Sequence, residues 1–181
     1  MEEKPLRRRL RLYIKMKVIN TSYTVVSVDP GYERLGVAVV KKENGKEYLL
    51  FSDCFISSKK DTDATRLYTI GTLFKKLLKE YRPDAVALEK IFFTTNQTTG
   101  ILVANMSGVI KFLSKEMDIP VFEYTLTGVK MAMASHGRGS KEDVHQMVSK
   151  FIVLPSKKRL DDEIDAIAVG LTHLAHARIS E

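Results

Sequence analysis

The sequence predicts an α/β fold built on a five-stranded mixed sheet with helices on both faces. Three observations carry that expectation. Short apolar runs stop on an acid or a turn, apolar residues recur every three to four positions in the segments between later runs, and the first three runs follow one another without a helix. With 181 residues, 44% hydrophobic and 28% charged, the chain holds enough apolar material for one ordinary domain with its own core.

From Thr24, the run TVVSVDPG reads as a buried strand that stops at Asp29, and RLGVAVVKK reads as a second strand. The Asn-Gly pair between Glu43 and Lys46 is a strong hairpin signal, so KEYLLFSDCFIS follows as an antiparallel third strand. Thr65 to Tyr81 carries Leu67, Ile70, Leu73, Phe74, Leu77 and Leu78 at helical spacing, and Pro83 ends that helix. AVALE is a fourth strand, finishing on Glu89. Asn96 to Met117 reads as a helix whose small residues Gly100, Ala104, Ser107 and Gly108 would let another backbone come close. IPVFEYT is the fifth strand. Two last helices span Lys141 to Phe151, with Ser140 as its cap, and Arg159 to Arg178, with the Leu154-Pro155 break between them.

Charge and composition narrow the function classes. The net charge of +7 suits a nucleic-acid partner, but residues 1 to 17 hold seven basic residues (Lys4, Arg7, Arg8, Arg9, Arg11, Lys15, Lys17) against Glu2 and Glu3, so +5 of it sits there. Residues 1–22 therefore read as a basic N-terminal extension, either a solvated tail or an arm that tracks a DNA backbone, and residues 23–181 as the domain proper. No stretch reaches the ~20 apolar residues of a membrane span, and arginines stand where a signal peptide would be apolar. The expectation is a soluble cytoplasmic protein with no membrane partner. A single cysteine, Cys54, excludes an internal disulfide and Cys-based zinc sites, and its place in a strand suggests a buried, inert thiol. His136, His145, His173 and His176 show no spacing that completes a zinc site.

The acids carry the chemistry. Asp29 and Glu89 end two different apolar strands, and LDDEIDAIAVGL opens the last helix with more. Ligands in open α/β sheets collect beyond the carboxyl ends of strands. On that helix Asp162 and Asp165 share a face, and Asp165 borders the buried stripe of Ile164, Ile167, Ala168 and Leu171. Converging carboxylates without basic partners repel one another unless a cation joins them. Magnesium, a hard ion with oxygen ligands, is the natural one, and a pair of such ions serves displacement at phosphorus. Each acid also has a plainer reading: Asp29 as a turn former, Glu89 as a solvated loop acid, and one of Asp161 and Glu163 as compensation of the helix dipole.

The segments VVSVDPGYERLGVAVV, VALEKIFF and DDEIDAIAVGLTH, in this order, resemble the RuvC family of Holliday junction resolvases, across residues 24 to 178. The resemblance implies a ribonuclease-H-like fold and an endonuclease that resolves four-way DNA junctions by paired symmetric nicks. It assigns Asp29, Glu89, Asp162 and Asp165 to a catalytic site holding two Mg2+ ions, with Mn2+ as a substitute; Asp161 is the residue most easily confused with Asp162. It also implies a homodimer, matched to the two-fold symmetry of a junction, with the small-residue helix as its contact, and partnership with the RuvA and RuvB branch-migration proteins. Among DNA-contacting candidates, Phe92 beside Glu89 would stack on a base, and Lys130, Lys141 and Arg138 would meet phosphates. Core packing is the plainer account of Phe92 or Phe93, and a solvated face of the lysines. The competing functions are a related nuclease acting on RNA, and a catalytically silent junction-binding module. Arg34, between the first acid and the second strand, has no role assigned by either route.

Overall fold

A computed structural model describes residues 22–31, 33–91, 97–134 and 140–177. The basic extension, apart from Ser22, lies outside the described residues, as do Phe92, Phe93, His136 and Arg138; Lys141 is described in backbone only.

The first three strands form a meander: β1 (Tyr23–Pro30), β2 (Arg34–Glu43) and β3 (Lys46–Ile56). Asn44 and Gly45 turn the hairpin with φ of 51° and 77°, the left-handed pair that this tight turn demands, and Glu43 faces Lys46 across it. Helix α1 (Asp63–Tyr81) follows, capped by the Thr62 hydroxyl, which accepts from the Thr65 amide; Arg82 takes a left-handed φ of 43° and its N–H closes on the Leu78 carbonyl just before Pro83. Then come β4 (Ala85–Glu89), α2 (Gln97–Glu116), β5 (Val121–Tyr124), α3 (Leu126–Ala134), α4 (Lys141–Phe151) and α5 (Asp161–His176). The sheet order is β3-β2-β1-β4-β5, antiparallel among the first three strands and parallel where β4 joins β1 and β5 joins β4.

Alternation along the strands sorts two cores. Val25, Ala38, Val40 and Ala87 face α3, α4 and α5, whereas Val26, Val28, Val37, Val39, Val86 and Leu88 face α1 and α2. The expected five-stranded mixed sheet with helices on both faces is thus present. Among the described residues, no helix is long and apolar enough to cross a membrane.

Several expectations need correction. Leu73 is not in the buried stripe of α1 but exposed, and Arg66 replaces it inside, its Nε donating to the Ser57 hydroxyl at 3.0 Å. The last helix starts at Asp161, not Arg159. Helix α3 was not expected at all: Thr125, read as the end of a strand, starts it by accepting from the Gly128 and Val129 amides. Of the small residues of α2, Ser107 is buried within the fold, and the close approach of α1 and α2 is made instead by Gly71, where a Cβ would touch Val109 and Leu113. Cys54 is half-buried rather than buried.

Candidate active site

The pairing of the strands places the first two acids. β1 and β4 run parallel with Val28 beside Leu88, so the next residue of each strand is an acid: Asp29 and Glu89 stand side by side at the carboxyl end of the sheet. Both share the alternation of Val25 and Ala87, so both project on the face that α5 covers.

Glycine brings the third element in. Gly36 pairs with Asp29 across β1 and β2, and a Cβ at Gly36 would overlap the backbone carbonyl of Asp162. The opening turn of α5 therefore lies directly on the strand pair that carries Asp29. A second close approach further along, where a Cβ at Gly170 would strike Ser27 and Val40, fixes the direction of the helix across the sheet. No side chain caps the start of α5; Asp161, Asp162 and Glu163 crowd its first turn, where carboxylates meet the positive end of the helix dipole.

These acids then part company. Asp161 is exposed. Asp162 is half-buried and forms an ion pair with Arg34, Nη2 to Oδ2 at 2.7 Å; Oδ2 itself is enclosed, and the contact is Coulombic rather than aligned as a hydrogen bond. Glu163 is buried, with Lys157 Nζ at 2.8 Å and Arg159 Nε at 3.1 Å from Oε1; Lys157 also donates to the Ser52 carbonyl, tying the α4–α5 loop to β3. Asp165 and Glu89 both line a cavity of about 60 Å3, together with Leu126, Val129, Lys130 and Val144. Lys130 thus joins two of the expected ligands, although it stands on a helix the sequence did not reveal. The half-buried Cys54 pairs with Gly36, and burial, then the nearby Asp162, push its thiol up to about 11, so it stays neutral and unreactive near neutral pH.

Two readings change here. The acids do not converge without basic partners, since Arg34 holds Asp162 and Lys130 lines the cavity. Of the two acids offered for the helix dipole, Glu163 is also the buried partner of two cations, whereas Asp161 is exposed in the first turn. Among the described residues, no three acid, histidine or cysteine side chains close into a ready metal-ligand group. The donor chemistry nonetheless suits a hard divalent ion: carboxylate oxygens only, from two neighbouring strand ends and one helix start, two of them on one cavity. Arg34 could have been found from the sequence by counting alternation, because it lies two residues before Gly36 and so on the same face of β2. Arg159 stands four residues before Glu163, a pairing distance visible in the sequence, whereas nothing in the sequence signals that Lys157 reaches back to Glu163 and to the Ser52 carbonyl.

Comparison with known proteins places the chain in a family. Residues 25–173 match the family model described as crossover junction endodeoxyribonuclease RuvC. The protein of that name from Syntrophomonas wolfei is 37% identical over 156 residues, covering 86% of this chain and 91% of its own; the one from Thermotoga maritima is 34% identical over 157 residues, covering 87% and 94%. The solved structure of Thermus thermophilus RuvC in complex with a Holliday junction substrate superposes with a TM-score of 0.81 at 32% identity, over 87% of this chain and 96% of that one. A yeast mitochondrial Holliday junction resolvase, at 14% identity and a TM-score of 0.61, shares the fold. The chain belongs to the RuvC family of crossover junction endodeoxyribonucleases.

Proposed function

We propose that this protein is an endonuclease that resolves Holliday junctions with divalent metal held by Asp29, Glu89, Asp162 and Asp165. The observation that carries the reading is the meeting of three separate chain segments at one end of the sheet. Asp29 and Glu89 end adjacent parallel strands, Gly36 seats Asp162 over them, and Asp165 shares a cavity with Glu89. Bound Mg2+ or Mn2+, two ions per site, supplies Lewis acidity that lowers the pKa of a water and neutralises charge on the leaving 3′ oxygen. The chain's own part is to hold and orient. The four carboxylates fix the ions on a rigid sheet end, and Lys130 brings a positive charge to the cavity rim, where a phosphate would lie. Lys141 at the start of α4, with Phe92 and Arg138, extends the contact with the junction as the resemblance implies.

The reaction needs two sites related by two-fold symmetry, and α2 offers the surface for a homodimer. Its outer side presents Ile101, Asn105, Gly108 and Phe112 at helical spacing, all exposed, and Gly108 leaves open space where a Cβ would stand. Partnership with RuvA and RuvB follows from the family. The test is incubation of a labelled mobile four-way junction with the protein and Mg2+. Paired symmetric nicks, with linear duplex and RNA–DNA hybrid left largely uncut, are the expected result. Intact junctions with both Mg2+ and Mn2+ would overturn the proposal, and preferential cutting of RNA would redirect it.

A further inference from the structure

We propose that Arg34 is a resident counter-cation of the metal site: its guanidinium holds Asp162 in the metal-free protein, and a divalent ion takes that carboxylate only by displacing it. This rests on the reading of Asp162 as a ligand. Backbone packing creates the pair. Arg34 and Gly36 lie two residues apart on one face of β2, and Gly36 admits the Asp162 backbone so closely that the carboxylate is delivered to Arg34 rather than reaching for it. The pair is not needed to fasten the helix. α5 is already anchored by its contacts at Gly36 and Gly170 and by the buried Glu163 with Lys157 and Arg159. With the Arg34 side chain 42% exposed, the ion pair belongs to the class that adds little to stability.

What the pair does is place a positive charge 2.7 Å from an oxygen that a metal would ligate. Arg34 therefore lowers metal affinity in the absence of DNA. Once displaced, its planar fork stands at the solvent edge of the site, suited to a backbone phosphate by bidentate hydrogen bonds. Metal entry and the arrival of DNA would then favour each other, because the phosphate takes the guanidinium that the metal expels.

The experiment measures Mn2+ binding to the DNA-free protein from the free-ion electron paramagnetic resonance signal. Arg34→Gln is expected to bind Mn2+ about fivefold more tightly than wild type, the size of a half-exposed ion pair. Arg34→Met, which keeps the aliphatic stem, should show the same gain and serves if the first variant fails to fold by circular dichroism. Arg34→Lys, which keeps the charge, should stay near wild type. In an Asp162→Asn background the Arg34→Gln gain should vanish. Equal or weaker binding by the charge-removing variants overturns the inference, as does a gain that survives Asp162→Asn. Wild type is assayed beside them for junction nicking. Nicking without any Arg34 effect sinks this inference alone, whereas a wild type that neither binds Mn2+ nor cuts sinks the nuclease reading with it.

Discussion

The two ends of α5 solve opposite problems with the same helix. At its start, Asp162 lies against Arg34, Glu163 against Lys157 and Arg159, and Asp165 lines a cavity with Lys130. At its end, His173 is 2% exposed and neutral. The Tyr124 hydroxyl lies 2.8 Å from Nδ1 and the Tyr23 hydroxyl 3.2 Å from Nε2, with Tyr23 stacked on the ring and Phe122 against it. A neutral imidazole has one donor and one acceptor nitrogen, and two tyrosines satisfy both. The helix dipole would favour a cation there, yet burial dominates, followed by the neighbouring His176, and depresses the imidazole to about 4. Carboxylates set against cations thus gather at the end where we propose that ions and phosphates bind. At the other end, polarity is satisfied without charge and serves packing.

Breaking the charged end should have the largest effect. Asp29→Asn or Asp165→Asn should cut junction cleavage by more than about 100-fold, beyond what loss of an outer-shell partner costs a metal site, while gel-shift affinity for the junction holds or rises as like charge facing phosphate falls. Glu163→Gln should leave cleavage chemistry in place but cost about 3 kcal/mol in urea unfolding, because two cations lose their buried partner; Lys157 reaches solvent, which keeps the loss at the low end. Gly36→Ala should cost about 1–3 kcal/mol by forcing α5 off β2, and should lower cleavage as well, because Asp162 moves with the helix. Gly108→Ala is its counterpart. The site is open and helical, so the exchange should leave the fold intact and raise stability by up to about 1 kcal/mol.

The smallest effect belongs to the neutral end. His173 is depressed in the folded protein relative to its ordinary value of 6.5, so the unfolded chain binds the extra proton first. Its stabilising contribution is present above about pH 6.5 and is lost as pH falls towards about 4. Urea midpoints should therefore drop across that window in wild type and drop less in His173→Gln. A charged end that failed Asp29→Asn, or a neutral end with a flat pH profile, would erase the contrast.

How much of this the sequence disclosed depends on the range of the interaction. Asp29 and Glu89 were readable because apolar runs ending on acids are a local pattern, and the Asn-Gly hairpin was readable for the same reason. Asp165 was readable from its place beside a buried stripe. Helix α3 escaped because it has nine residues and follows VFEY without a break, so strand-forming residues masked the Thr125 cap. The Arg34 pair escaped because it joins segments brought together only by packing, with Arg34 and Asp162 more than a hundred positions apart, whereas the cations on Glu163 are local, Arg159 standing four positions before it. Asp162 is preferred to Asp161 already in the sequence for sharing a face with Asp165, and the fold separates the two further, with Asp161 exposed and Asp162 half-buried against Gly36 and paired with Arg34.

The central claim is that Asp29, Glu89, Asp162 and Asp165 make one divalent-metal site at the carboxyl end of the sheet. Anomalous diffraction from crystals of the protein soaked in Mn2+ tests it most directly. The account predicts peaks within about 2.0–2.6 Å of oxygens from these four carboxylates, with the Arg34 guanidinium moved off Asp162. Mn2+ bound elsewhere on the molecule, or no peak between the two strand ends and the start of α5, would contradict it.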